Sequence, residues 1–126
     1  SRSGLANRVN ADLFVSVHNN AFPSSRQSGT MTLYYPTTRN TKGSMNGKKL
    51  AAIVQKELVS QLGTRDLGII GRPRLAVLRT TKMPAILAEI GYMSNPSELR
   101  KLKTDSFKQK AAEALKDGIL KALDAL

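Results

Sequence analysis

His18 is the single histidine of the chain and stands at the end of the apolar stretch ADLFVSV (Ala11–Val17), where a polar HNN begins. Glu89 is a lone carboxylate inside a second apolar run, AILAEIG (Ala85–Gly91). Each is a titratable group where a strand should be apolar or is ending. An imidazole ligates metals or moves protons near neutrality. A carboxylate removed from water is pushed toward the protonated form, and so toward the range useful for acid–base chemistry. Both groups also have plainer readings. For His18 it is a hydrogen-bonded polar residue, because a catalytic zinc takes three protein ligands and the chain offers no second histidine and no cysteine. For Glu89 it is an ion pair, with Arg79 as the partner from a neighbouring strand.

Other chemistries are excluded by what is missing. There is no G-x-S-x-G elbow, no cysteine nucleophile, no Walker A loop and no G-x-G-x-x-G turn. The absence of cysteine also excludes disulfides and thiolate metal sites.

The elements that must position these residues are legible from pattern. ADLFVSV and AILAEIG read as largely buried strands, the kind with helices on both faces. TMTLYYP (Thr30–Pro36) reads as a strand stopped by its proline, and LAVLR (Leu75–Arg79) as another. Residues 19–29, 37–49 and 64–74 read as loops or irregular connections. Apolar residues at helical spacing predict a helix from about Ser44 to Leu62, stopped by Gly63. Asn95, Pro96 and Glu98 give the N-cap, N1 and capping-box pattern of another helix. A last helix runs from Thr104 through Leu123 with Phe107, Ala111, Ala114, Leu115, Ile119 and Ala122 on its apolar stripe. Strands alternating with helices imply an α/β domain with a mixed or parallel sheet. In such sheets, sites form at the carboxyl ends of strands, where both His18 and Glu89 fall.

At 126 residues the chain is one domain or a piece of one. Its formal net charge is +11, from 20 basic and 9 acidic residues, which favours encounter with a polyanion. Eight of the basic residues lie in the first 63, so no basic tail detaches. Six aromatic residues and no tryptophan are thin for stacking nucleic-acid bases. The run RKLKTDSFKQK (Arg100–Lys110) reads as a solvated helix face. No apolar run approaches the length of a membrane span.

Two blocks carry a family resemblance. Ala11–Asn20 matches an AD-apolar-F-apolar-S-apolar-H-x-N strand end, and Leu78–Asn95 (LRTTKMPAILAEIGYMSN) matches a second signature throughout. Both resemble the zinc-dependent N-acetylmuramoyl-L-alanine amidases of bacterial cell-wall turnover, of the amidase-3 type. SGTMTLYYP, GKKLAAIVQKEL and RDLGI resemble the family's intervening strand, helix and turn. The resemblance implies a mixed, mostly parallel sheet flanked by helices, with zinc as cofactor and peptidoglycan as substrate. It implies an extracellular, cell-wall or periplasmic address; the positive charge suits anionic wall polymers as further partners, and the sparse aromatic residues with a carboxylate in the central strand count against nucleic acid. It makes His18 a zinc ligand and Glu89 the catalytic residue; Asn20 and Arg79 are read beside them as residues that support the ligands or touch substrate, the plainer reading being that they fix their loops. The family's other two ligands, a histidine in an H-G-G-like motif and a glutamate on the next helix, precede the ADLF strand, and this chain has neither. Residues 1–126 are therefore expected to be the C-terminal portion of a catalytic domain whose first strand–helix part is missing. The alternative is a non-catalytic basic wall-binding module or an inactive truncated amidase.

Overall fold

The two apolar runs that carry His18 and Glu89 become adjacent parallel strands. A computed structural model describes residues 1–126. In chain order the elements are α1 (Arg2–Arg8), β1 (Phe14–Asn20), β2 (Thr30–Tyr34), β3 (Thr41–Lys42), β4 (Met45–Asn46), α2 (Gly47–Leu62), β5 (Asp66–Gly71), α3 (Ala76–Arg79), β6 (Ala85–Tyr92), α4 (Pro96–Leu102) and α5 (Asp105–Asp124). The main sheet has the order β1-β6-β2-β5. β1 runs parallel to β6 and β2 parallel to β5, while β2 and β6 are antiparallel. This is the mixed, mostly parallel α/β architecture expected.

Alternation along the strands sorts their side chains to two faces. Ile86, Ala88 and Ile90 of β6 pack with Leu50, Val54 and Leu58 of α2 and with Ala111, Ala114 and Ala122 of α5. Leu50, Val54 and Leu58 are completely buried, and each such side chain contributes about 1.5–3 kcal/mol on leaving water. The opposite face holds a smaller cluster of Leu33, Leu78, Ala85 and Leu87, covered by the short α3. Sequence position assigns His18 and Glu89 to this thinly covered face.

The caps follow their residue types. Asn46 accepts a hydrogen bond from the Lys49 N–H at the start of α2, Asn95 from Ser97 and Glu98, and Thr104 from Phe107. Gly63 ends α2 at φ 65°.

Three readings need correction. Leu75–Arg79 is not a strand; Ala76–Arg79 is a single helical turn with Leu78 as its buried residue. Four or five apolar residues do not distinguish a strand from a helical turn. The strand lies instead at Asp66–Gly71, in the segment expected to be irregular. Its alternation is hidden by Gly68, which takes a φ of 79° where β5 slips register against β2. The polar loop at 37–49 also folds, as the small antiparallel pair β3–β4.

Candidate active site

Register brings together what sequence separation keeps apart. His18 and Glu89 are Cα partners across the β1–β6 pair. Neighbouring residues on paired strands point to the same face, so imidazole and carboxylate share one patch at the carboxyl ends of two parallel strands. His18 is not the last residue of its strand, because β1 continues to Asn20. The pairing slips between His18 and Asn20, so the strands part just beyond the pair.

The expected ion pair of Glu89 with Arg79 is absent. None of the three ion pairs in the chain includes either residue. Arg79 closes the helical turn α3 instead of lying on an adjacent strand, and its side chain is exposed. Glu89 has no hydrogen-bond substitute either. Its Oε2 is the one buried side-chain polar atom in the chain without a partner. Burial pushes the Glu89 carboxyl above the ordinary glutamate range, and the charge of His18 pulls it partly back. A buried acceptor without a donor costs about 1–3 kcal/mol in ordinary proteins. An orphaned buried oxygen of this kind is rare and singles Glu89 out within the chain.

Around this pair the backbone is held by bonds the sequence did not disclose. The Met93 N–H donates to the Asn20 carbonyl at 2.7 Å, and the Phe22 N–H donates to Ser94 Oγ at 3.1 Å. Glu98 Oε1 accepts from both Gly29 N–H (2.9 Å) and Tyr92 N–H (3.0 Å). The segment after β1 is thus tied to the segment after β6 at three points. Glu98 reads as a capping-box residue in the sequence, but its carboxylate bridges two loops instead of reaching back to Asn95. Asn20 Oδ1 accepts from the next backbone N–H, that of Ala21, at 3.0 Å.

No three His, Cys, Asp or Glu side chains gather closely enough to hold an ion. His18 offers one nitrogen ligand, and Glu89 is the one carboxylate in register with it. The chain by itself does not present a complete catalytic zinc site, whose norm is three protein ligands.

The chain is thus a mixed α/β domain with an imidazole and an orphaned carboxylate in register at its strand ends, and comparison with known proteins gives its class. Residues 1–121 match the family described as N-acetylmuramoyl-L-alanine amidase (Amidase_3). The chain belongs to this family. It is 41% identical over 117 residues to the N-acetylmuramoyl-L-alanine amidase LytC of Bacillus subtilis, a match covering 93% of this chain and 23% of that protein. The crystal structure of an N-acetylmuramoyl-L-alanine amidase from Clostridium difficile 630 superposes with a TM-score of 0.89 at 37% identity, covering 98% of this chain and 63% of the other. The catalytic domain of CwlV from Bacillus (Paenibacillus) polymyxa gives 0.86 at 34% identity, over 97% of this chain and 63% of that one. The chain therefore spans less than two thirds of the solved structures it matches, and under a quarter of LytC.

Proposed function

We propose that the chain is the C-terminal portion of a peptidoglycan amidase domain, carrying its general base and one metal ligand. The bond cleaved joins the lactyl group of N-acetylmuramic acid to the L-alanine of the stem peptide. The observation that carries this reading is the buried, unpartnered Oε2 of Glu89 beside His18. Glu89 takes a proton from the attacking water and returns it to the leaving amine, and its raised pKa suits both transfers. His18 is one zinc ligand, and two further ligands come from outside these residues. Zinc, when held, supplies Lewis-acid polarisation of the scissile carbonyl and a more acidic water. Asn20 and Arg79 are the proposed substrate contacts, since neither the Asn20 amide nitrogen nor the Arg79 guanidinium has a partner within the chain. The reaction takes place outside the membrane, in the wall or periplasm; no helix is long and apolar enough to cross a membrane.

The division of the domain has its own support. β1 is an edge strand paired only with β6, and Val17 on it is 51% exposed beside Leu5 (54%) and Val9 (65%) of α1. An unpaired edge flanked by exposed apolar side chains suits a further strand and helix. Metal analysis tests this reading. The folded 126-residue chain alone should hold no tight zinc and release no stem peptides from purified peptidoglycan. One tightly held zinc per monomer with amidase turnover would overturn it.

A further inference from the structure

Arg100–Lys110 carries Arg100, Lys101, Lys103, Lys108 and Lys110 against one carboxylate, Asp105. All five cations are exposed, and none lies within the 4.0 Å that defines an ion pair. Helix stability accounts for only some of them. Arg100 and Lys101 occupy the last turn of α4, where cations complement the helix dipole. Lys108 and Lys110 are the fourth and sixth residues of α5, far from its C-terminal end, so the helix dipole offers them no stabilisation.

Their position has a bearing on the site. Glu98 ties α4 to Tyr92, three residues beyond Glu89. Lys108 lines a recess of about 360 Å³ together with Val17, Asn19, Ile90 and Phe107. Lys108 therefore borders the same end of the sheet as His18 and Glu89, from the α5 face.

We propose that the Arg100–Lys110 hairpin is a docking surface for an anionic wall polymer with phosphodiester charges in its backbone. This rests on the reading of the chain as part of a wall hydrolase. The chemistry of the patch selects the partner. Four of its five cations are lysines, flexible point charges suited to a mobile polyanion and poor at planar, bidentate base reading. Phe107, its one aromatic residue, packs toward the core and leaves no ring for stacking bases. No large apolar side chain is exposed between residues 100 and 110, so the hairpin has nothing to insert into a lipid surface.

The test compares the chain with K101Q/K103Q/K108Q/K110Q and with a charge-matched control, R39Q/K48Q/K56Q/K82Q, whose four positions are exposed elsewhere. Each is titrated with poly(glycerol phosphate), with walls before and after removal of their phosphodiester polymer, and with duplex DNA at equal phosphate. The hairpin variant should bind the polymer about tenfold more weakly or worse, with a log–log salt slope shallower by about 3. The control should stay near the parent, and stripped walls should lose most binding. Equal losses in both variants would reduce the effect to net charge and overturn the proposal. Undiminished binding to stripped walls, or tighter binding to DNA, would overturn the choice of partner. Circular dichroism checks both folds. Independently of any variant, amide shifts of the parent on titration with the polymer should concentrate at 100–110, and their absence there would sink the idea. These readouts measure binding without cleavage, so they fail or succeed independently of the amidase reading.

Discussion

Two parts of the sheet hold polar side chains, and they handle them in opposite ways. On the α2 face, the Thr32 hydroxyl donates to Gln55 Oε1 at 2.9 Å, and Gln55 Nε2 donates to the Thr30 carbonyl and to Asp66 Oδ1, each at 2.7 Å. The Thr30 hydroxyl donates to the Ile90 carbonyl at 2.7 Å and lies 2.6 Å from that of Thr64. Gln55 thus spends every strong donor and acceptor on fixing β2, β5 and α2 together. At Glu89, on the other face, a buried oxygen has no partner. A satisfied polar network specifies a structure, whereas an unsatisfied group is a standing cost that structure alone does not repay.

The largest test of that contrast is Glu89→Gln in a protein containing the whole domain. Hydrolysis of purified peptidoglycan should fall roughly 10²–10⁴-fold, the usual worth of a general base. Stability should move the other way. The folded pKa of Glu89 is raised, so the protonated form is the favoured one, and its advantage is lost as pH rises through that pKa. Glu89→Gln should therefore melt higher than the parent at neutral pH, with the gap closing in acid. A variant with parental turnover would remove Glu89 from the mechanism.

Gln55→Leu should give the reverse, leaving Thr32, the Thr30 carbonyl and Asp66 short of partners. We expect about 3 kcal/mol of lost stability in urea denaturation. A loss indistinguishable from zero would mean that the network is ornamental. Glu98→Ala falls between the two regions, because it removes the acceptor shared by Gly29 and Tyr92. A loss of about 1–2 kcal/mol is expected, with faster hydrogen exchange at those two amides. Unchanged exchange would show that the loops are held by other means. The smallest effect belongs to Glu57, whose pKa is lowered by its hydrogen bonds to Lys121 and then Gln61. A lowered folded pKa gives stability that is present above the ordinary glutamate range and lost as pH falls through the folded value. Glu57→Gln should therefore narrow the melting-temperature gap between pH 7 and strong acid only slightly, since its partner Lys121 is open to solvent. A large narrowing would show the pair to be more than superficial.

What the sequence disclosed depended on how local the cause was. Asn95 and Thr104 announce their helices because a cap acts within three residues. His18 and Glu89 are each conspicuous because polarity inside an apolar run is a local anomaly. Their apposition is a register, and register is decided by the whole sheet. β5 is hidden in the sequence because Gly68 and Asp66 interrupt its alternation, and Arg79 reads as part of a strand because a short apolar run does not declare its period. Glu98 was legible as a capping residue, but its hydrogen bond to Gly29 spans a distance no spacing rule covers.

The strand order has a consequence for how the molecule comes into being. β6 is the last strand made, yet it lies between β1 and β2, which do not touch each other in the sheet. Until residues 85–92 have been made, β1 has no partner strand within the chain, and of the main sheet only the β2–β5 pair can form. Pairings between such distant segments form slowly because loop closure precedes the contacts that reward it. His18 and Glu89 therefore come into register only once β6 has paired with β1.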